Sequence, residues 1–198
     1  RQMFNCQQDY SLENDVVLLR PLCEDDFQHL VCFSINEPDL WYYSLVPADS
    51  EDKLSTYIQS ALKARTEGKE YPFIVFDKRT GKYAGSTRFY DIQLQHKTLQ
   101  LGYTWYGKTF QGTGLNKNTK FLLLQFAFET IGVERVEFRA DHNNKRSINA
   151  MKAIGCIEEG VLRSNCVAAS GIRRDSIVLS ILSHEWFDTV KTQLQKQL

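Results

Sequence analysis

A short glycine-containing segment between a predicted strand and a predicted helix is the part of this sequence best suited to chemistry. It consists of Gln111-Gly112-Thr113-Gly114-Leu115-Asn116 and follows a strand that ends at Tyr106. A helix that begins directly after a glycine loop leaves backbone N–H groups unpaired at the positive end of its dipole. Such a junction can bind phosphate through the backbone alone. An ordinary tight turn would show the same residues, and neither the dinucleotide-binding nor the Walker pattern is complete.

The composition excludes several classes of protein. The 198 residues carry 24 Lys and Arg against 24 Asp and Glu, so net charge gives no reason to expect a nucleic acid or a membrane surface as a partner. A hydrophobic content of 42% is typical of a folded globular protein. The five cysteines include no C-x-x-C pair, so we expect free thiols and no metal site. No apolar run predicts a signal peptide or a membrane span, and we therefore expect a cytoplasmic protein.

Helical and strand patterns alternate along the chain and predict one mixed α/β domain over residues 1–198. From Leu99 to Trp105, for example, larger apolar residues alternate with Gln, Gly and Thr, as in a half-buried strand. Strands are predicted at 16–21, 73–76, 82–90, 98–106, 133–140, 156–163 and 177–182. Helices are predicted from residue 24, between residues 50 and 68, at 115–131 and 145–154, and after residue 187. The glycine loop then joins the fourth strand to the helix that follows it.

Several features in this order resemble the Gcn5-related N-acetyltransferase (GNAT) family, in particular its RimJ/RimL-like branch, which acetylates the N-termini of ribosomal proteins. The glycine loop is similar to the family motif Q/R-x-x-G-x-G/A, although Asn116 stands where Gly or Ala is usual. The other matching segments are 17–22 with 25–27, Leu101-Gly102-Tyr103, Asn144-x-x-Ser147, and the closing pieces 159–163, 174–175 and 185–186.

The resemblance implies a mixed central sheet of about six to seven strands, flanked by helices, whose fourth and fifth strands splay apart. Acetyl-CoA would be the co-substrate, with no metal. Its pantetheine arm would lie against Tyr103, Thr104 and Trp105, and its diphosphate on the amides of the loop from Gln111 to Asn116. Lys117 and Lys120 could reach the phosphates or belong to a solvated helix face.

The resemblance also implies catalytic groups. Ser147 matches a family serine and would protonate the leaving thiolate, while Asn144 would orient the coenzyme or that donor. Both residue types are also common at helix starts. Many relatives carry glutamate where this chain has Gln100, so Glu137 and Glu159 are the substitute candidates for the general base; either could instead be a surface or salt-bridged carboxylate.

The resemblance further implies that the acceptor of the acetyl group is a primary amine, either a protein N-terminus or a small molecule. An α-amino group, with a pKa near ~8, is already partly neutral at pH 7, whereas a lysine-type amine near ~10.4 costs roughly 4–5 kcal/mol to deprotonate. Segments 36–48 and 164–172 would recognise the acceptor, with Trp41 and Tyr42 either walling its slot or packing on the sheet.

Alternatives to this enzyme stay open at the level of the sequence. A non-catalytic acyl-CoA-binding regulatory domain would account for Gln100 and Asn116, and a nucleotide-binding module of another fold could use the same loop. The protein is expected to be a monomer or a homodimer.

Overall fold

The chain is organised around one eight-stranded sheet, described for residues 3–198 in a computed structural model. The first two residues of the predicted domain lie outside that range. The strands are β1 (Leu12–Glu13), β2 (Val17–Pro21), β3 (Tyr71–Asp77), β4 (Lys82–Gln93), β5 (Thr98–Tyr106), β6 (Arg135–Asp141), β7 (Ile157–Val167) and β8 (Arg173–Leu182). The helices are α1 (Phe27–Asn36), α2 (Glu51–Thr66), α3 (Leu115–Gln125), α4 (Lys145–Ala153), α5 (Ser183–Glu185) and α6 (Lys191–Gln195). π-Helical turns extend α3 over Phe126–Ile131 and join α5 to α6 over Trp186–Val190.

The strands β5 and β6 separate in the middle of the sheet. The spatial order is β1-β2-β3-β4-β5-β6-β8-β7, and β5–β6 is the parallel pair in an otherwise antiparallel arrangement. Their pairing covers Thr98–Gln100 against Arg135–Glu137 and goes no further. Beyond it, β5 continues along β4 to Tyr106, while β6 continues along β8 to Asp141. The predicted splay is confirmed, because these are the fourth and fifth strands when the two-residue β1 is left out.

A β-bulge lies in β5 just after the point of parting. Ser86 pairs with Trp105 and Arg88 with Gly102, so Thr87 alone faces two residues, Tyr103 and Thr104. Tyr103 has a φ of 52°, in the left-handed region that side chains usually avoid. A bulge bends its strand and increases the local twist. The bulge therefore contributes to turning β5 away from β6.

Helices cover both faces of the sheet, as two neighbouring residues of β5 show. The Trp105 ring packs on Phe33 of α1, whereas the Thr104 hydroxyl is bonded to Lys120 of α3. Because successive side chains of a strand point to opposite faces, α1 and α3 lie on opposite sides of β5. Tyr57 of α2 contacts Tyr103 and so lies on the α1 side. On the α3 side, Trp186 is fully buried against Phe121 and Phe128.

The predicted elements are present, with two corrections. Strand β1 was missed, since two residues are too short to show an alternating pattern. The predicted loop 164–172 begins within a strand, because β7 continues to Val167 and pairs with β8 around a turn at residues 168–172. The predicted helix 115–131 is α3 plus its π-helical turn, and it ends at Gly132 with a φ of 83°. Within residues 3–198, no helix is long and apolar enough to cross a bilayer.

A buried carboxylate connects β2 to the start of α1. Asp26 is 1% exposed and accepts from both terminal nitrogens of Arg20 at 2.7 and 2.9 Å, and from the Cys23 backbone N–H at 2.9 Å. Hydrogen bonding to Asp26 raises the pKa of Arg20. Bidentate pairs of this kind are among the stronger polar contacts in proteins.

We expect Asp26→Ala to lower the free energy of unfolding by about 2–3 kcal/mol, because it leaves Arg20 and the Cys23 amide without their acceptor. Urea denaturation followed by circular dichroism measures the change. Its neighbour Asp25 is exposed, so Asp25→Ala is the control and should stay within about 0.5 kcal/mol of the parent. Equal losses from the two substitutions would show that the ion pair contributes little.

Candidate active site

The loop between β5 and α3 presents backbone N–H groups that the described residues do not use. Among the hydrogen bonds of residues 3–198, none is donated by the backbone nitrogens of Gly112, Thr113, Gly114, Asn116 or Lys117. The last two lie in the first turn of α3, where the helix dipole is positive. Neighbouring free amides at a helix start form a binding site for an anion such as phosphate.

Two glycines give the loop its shape. Gly112 has a φ of 72° and Gly114 a φ of 86°, and an added Cβ would meet open space at both positions. The conformation of the backbone, rather than crowding by the protein, is therefore what favours glycine here. The open space also leaves the backbone accessible to a ligand.

The loop is held by bonds that occupy its carbonyls and side chains. Arg79, in the turn between β3 and β4, donates to the Thr113 carbonyl at 2.8 Å. The side-chain amide of Gln111 donates to the Tyr106 carbonyl at 2.8 Å, and the Thr113 hydroxyl donates to the Phe110 carbonyl at 2.6 Å. The Asn118 side chain donates to the Gly114 carbonyl at 2.9 Å. The loop is thus fixed in place while its backbone amides stay free.

Asn116, which departs from the family pattern, does not block these amides. Its side-chain oxygen accepts a hydrogen bond from the Tyr106 hydroxyl at 2.8 Å, so the side chain is tied to the end of β5. The backbone N–H of Asn116 keeps its position in the first turn of α3.

The free edge of β5 leads from the point of parting to this loop. The segment from Leu101 to Tyr106 has no partner in β6, so a ligand can lie along this edge of the strand. The Tyr106 carbonyl is already bonded to Gln111 and the Tyr103 carbonyl to Tyr57, and the other backbone groups on that side can pair with such a ligand. The predicted coenzyme residues Tyr103, Thr104 and Trp105 all lie on this segment. Together, the free edge and the free amides fit an elongated ligand with a diphosphate at one end.

A cluster on the α2 side secures the bulge. Arg88 is 4% exposed, lies 4.7 Å from the ring centroid of Tyr57 and 3.9 Å from that of Tyr103, and donates to Glu70 at 2.7 Å. Cation–π contacts strengthen when the cation is desolvated. The cluster therefore holds Tyr103 in its left-handed conformation. The sequence did not predict this cluster. The other buried residues of the strand that holds Arg88 are uncharged, so no local pattern indicated what Arg88 pairs with.

Asn144 and Ser147 meet at the start of α4, where the Asn144 side chain accepts from the Ser147 backbone N–H at 3.2 Å. This is an N-cap, so the helix-start interpretation of Asn144 is correct. The Ser147 side chain is partly buried in the first turn. The cap uses the backbone N–H of Ser147, so the Ser147 hydroxyl can still act as a proton donor.

The two candidate bases are tied into ion pairs near the closed end of the splay. Glu137 accepts from Arg135 and Arg139, both at 2.8 Å, and Glu159 pairs with Arg135. A hydrogen bond from Ser180, together with Arg135, lowers the pKa of Glu159. A carboxylate stabilised in its charged form is a weak base, so this arrangement favours the salt-bridged interpretation of both residues. Gln100 donates its amide to Asp91 at 3.0 Å.

Trp41 and Tyr42 occupy different environments. Trp41 is 3% exposed and its ring lies 4.8 Å from that of Trp105, which favours packing on the sheet. Tyr42 is 77% exposed beside Tyr43. Only Tyr42 of this pair offers open surface to an acceptor.

Lys117 and Lys120 also differ. Lys117 is partly exposed in the first turn of α3, whereas Lys120 is 6% exposed and donates to the Thr104 hydroxyl at 2.8 Å. The solvated-face interpretation is therefore wrong for Lys120. The run Phe121-Leu122-Leu123-Leu124 was the available signal, since a helix that is apolar on all sides is buried on all sides.

Within residues 3–198, no three His, Cys, Asp or Glu side chains are grouped so as to hold a metal ion. The five cysteines are free thiols.

Comparison with known proteins agrees with this geometry. The profile of the acetyltransferase (GNAT) domain matches residues 17–157. A solved structure from T. thermophilus, provisionally assigned as an acetyltransferase, is 31% identical with a TM-score of 0.84, over 95% of this chain and 96% of that one. The provisionally assigned ribosomal N-acetyltransferase YdaF of Bacillus subtilis (strain 168) is 28% identical over 106 residues, 54% of this chain and 57% of that protein. The spermidine N(1)-acetyltransferase of Escherichia coli (strain K12) is 22% identical over 182 residues, 92% of this chain and 94% of that protein.

The chain belongs to the GNAT acetyltransferase family, as its motifs predicted. This family is one of N-acetyltransferases, and the third possibility, a nucleotide-binding module of another fold, is excluded.

We expect Asn144→Ala to lower the free energy of unfolding by about 1 kcal/mol, because α4 loses its cap. Asn144→Asp is the matched control, since aspartate caps equally well and should restore most of that stability. Chemical denaturation measures both variants. If Asn144→Ala is as stable as the parent, the cap contributes nothing and the residue must be explained by ligand binding alone.

Proposed function

We propose that this protein transfers the acetyl group of acetyl-CoA to a primary amine, and that the preferred acceptor is an α-amine. The observation that carries the proposal is the set of free backbone amides of Gly112, Thr113, Gly114, Asn116 and Lys117, at the end of the unpaired edge of β5. This arrangement fits a carrier with a diphosphate and an extended, amide-containing arm. Acetyl-CoA is such a carrier, and it supplies an activated acetyl group as a thioester.

Each part of the chain has a defined task in this proposal. The amides of Gly112, Thr113, Gly114 and Asn116 would bind the diphosphate, and the edge at Tyr103–Trp105 would pair with the arm as a neighbouring strand would. Gln111 and Leu115 complete the loop. Ser147 would act as the proton donor to the leaving sulfur. That sulfur, with an intrinsic pKa of about 8.5 when it resembles a cysteine thiol, needs only a weak donor.

The charges near the splay favour an acceptor that needs little help to lose its proton. Glu137 and Glu159 are neutralised by arginines, and the lowered pKa of Glu159 makes it a poorer base than an ordinary glutamate. An α-amine is partly neutral near pH 7, whereas the alkylamines of a polyamine are almost wholly protonated. A polycation would also gain little from carboxylates that already pair with arginine.

A catalytically silent acyl-CoA-binding domain is the second candidate, and Gln100 is the observation that favours it. Gln100 cannot accept a proton as glutamate does, and its amide is bonded to Asp91. Both candidates share the coenzyme loop, so the first experiment tests the loop and the second tests the reaction.

We expect CoA and acetyl-CoA to raise the melting temperature of the protein, and ATP and NAD to have little effect. Ligand at about 100 times its Kd stabilises the native state by about 2.7 kcal/mol. Gly114→Ala should weaken CoA binding roughly tenfold, since it strains the loop that positions the amides. Calorimetric titration measures that affinity.

Gly68→Ala is the matched control, because Gly68 has a φ of 74°, open space around its Cβ position and a place after α2. It should lose similar stability and bind CoA normally. If both variants bind CoA like the parent, or if ATP alone stabilises the protein, the proposed coenzyme site is wrong.

The acceptor is tested by thiol release from acetyl-CoA with matched amines at pH 7. We expect a short peptide with a free α-amine to show a kcat/KM at least about tenfold above that of spermidine or an N-terminally blocked lysine peptide, because more of it is neutral. The difference in kcat/KM between the α-amine and the alkylamines should decrease as pH rises toward ~10, because the alkylamines then lose their protons. A preference for spermidine at pH 7 would refute the α-amine assignment, and no release with any amine would favour the silent domain.

A further inference from the structure

Lys120 is a buried cation whose role the proposed function leaves unexplained. Its side chain extends from the second turn of α3 to β5, where its ammonium donates to the Thr104 hydroxyl at 2.8 Å. The residue is 6% exposed. No carboxylate of residues 3–198 lies within ion-pair distance of it. A buried ammonium is costly unless it is paired, so this position calls for a reason.

The groups seen to bond Lys120 or to act on its charge are neutral. Thr104 of β5 shares a 2.9 Å hydrogen bond with Thr87 of β4, and both are hydroxyls. The thiol of Cys156, between α4 and β7, is the titratable group that acts on the charge of Lys120. Burial raises the pKa of Cys156 to about 12, so this thiol is neutral at physiological pH. Glu185 interacts with Cys156 and also accepts from the Leu182 backbone.

The bond to Thr104 places the ammonium under the bulge of β5, on the α3 face of the sheet. Thr104 lies in the bulge, within the segment that has no partner in β6. Loop amides that would hold the diphosphate begin at the other end of the same segment. A cation without an anion therefore lies under the segment of β5 along which the proposed coenzyme would run, beyond its phosphates and toward its reactive end.

We propose that the Lys120 ammonium is the charge that stabilises the leaving thiolate of the transfer reaction. The inference rests on the proposed function, because it assumes acetyl-CoA in the gap between β5 and β6. In the transfer, the acceptor nitrogen forms a bond to the acetyl carbon, the carbon–sulfur bond breaks, and its electron pair leaves on sulfur. The proton lost by the amine goes to solvent, and the sulfur takes a proton from Ser147, which solvent replenishes. Lys120 keeps its own proton throughout and acts by its charge.

Burial lowers the pKa of Lys120 to about 8, which is consistent with an ammonium kept ready for a partner of opposite charge. This lowered pKa makes the stability of the fold depend on pH. Because the unfolded chain holds this proton up to about 10.5, the unfolded state binds more protons between about pH 8 and 10.5, and the stability contribution of Lys120 rises with pH over that range. Lys120→Met should remove that rise and should be no less stable than the parent at pH 7, since it removes a buried charge.

The test measures the acidity of the thiol of bound CoA. CoA labelled with ¹³C at the carbon next to sulfur is titrated by NMR in the complexes of the parent and of Lys120→Met, so the thiols of the protein do not interfere. We expect the bound thiol to be at least about tenfold more acidic in the parent than in the variant, because an adjacent cation favours the thiolate. In steady-state assays, Lys120→Met should lower kcat about 10- to 100-fold and change KM for acetyl-CoA less than about threefold.

Lys63→Met is the control, since Lys63 is exposed on α2, on the opposite side of the sheet. It should match the parent in thiol acidity and in kcat. A bound thiol in the parent that is no more acidic than free CoA overturns the proposal, and this measurement needs no variant. If Lys120→Met leaves the acidity of the bound CoA thiol unchanged and strongly destabilises the fold, the role of Lys120 is structural and the proposal is wrong. Failure of CoA to bind at all would instead sink the proposed coenzyme site.

Discussion

The parting of β5 from β6 is the constraint on which the rest of this structure depends. Two parallel strands normally pair along their whole length, since an unpaired backbone edge inside a sheet is costly unless something else satisfies it. Here they pair over three residues and then follow different neighbours. The bulge at Tyr103 and Thr104, held by the buried Arg88, lies where they separate. The sheet thereby gains an internal edge that can accept an extended ligand.

The loop that begins α3 completes this edge because of how its hydrogen bonds are distributed. Its carbonyls and side chains are bonded to Arg79, Asn118 and the end of β5, which fixes the backbone. The free backbone N–H groups of the loop lie at the positive end of the α3 dipole, where they can bind an anion. A loop held through its amides would be just as rigid and would bind nothing. Rigidity and binding are compatible here because they use different atoms.

The charges around the splay are unequal in a way that matches acyl transfer. The acidic residues Glu137 and Glu159 are neutralised by arginine, while the basic residue Lys120 is buried without an acid. Such a site stabilises negative charge better than it removes protons. It therefore suits a reaction in which a thiolate leaves and the attacking amine is already partly neutral.

The sequence by itself determined the order of the elements, the position of the glycine loop and the family, because these depend on local periodicity and on motifs of a few residues. Strand β5 was predicted with its observed bounds, and the start of α3 followed from Gly114. The tertiary structure alone decided that Asn144 caps α4, that Arg135 neutralises both candidate bases, and that Lys120 is buried against Thr104. The Asn144 cap and the Arg135–Glu137 pair are local, whereas the Arg135–Glu159 and Lys120–Thr104 contacts join residues distant in the chain. Whether a charge is paired or exposed depends on such neighbours, and no spacing along the sequence specifies them.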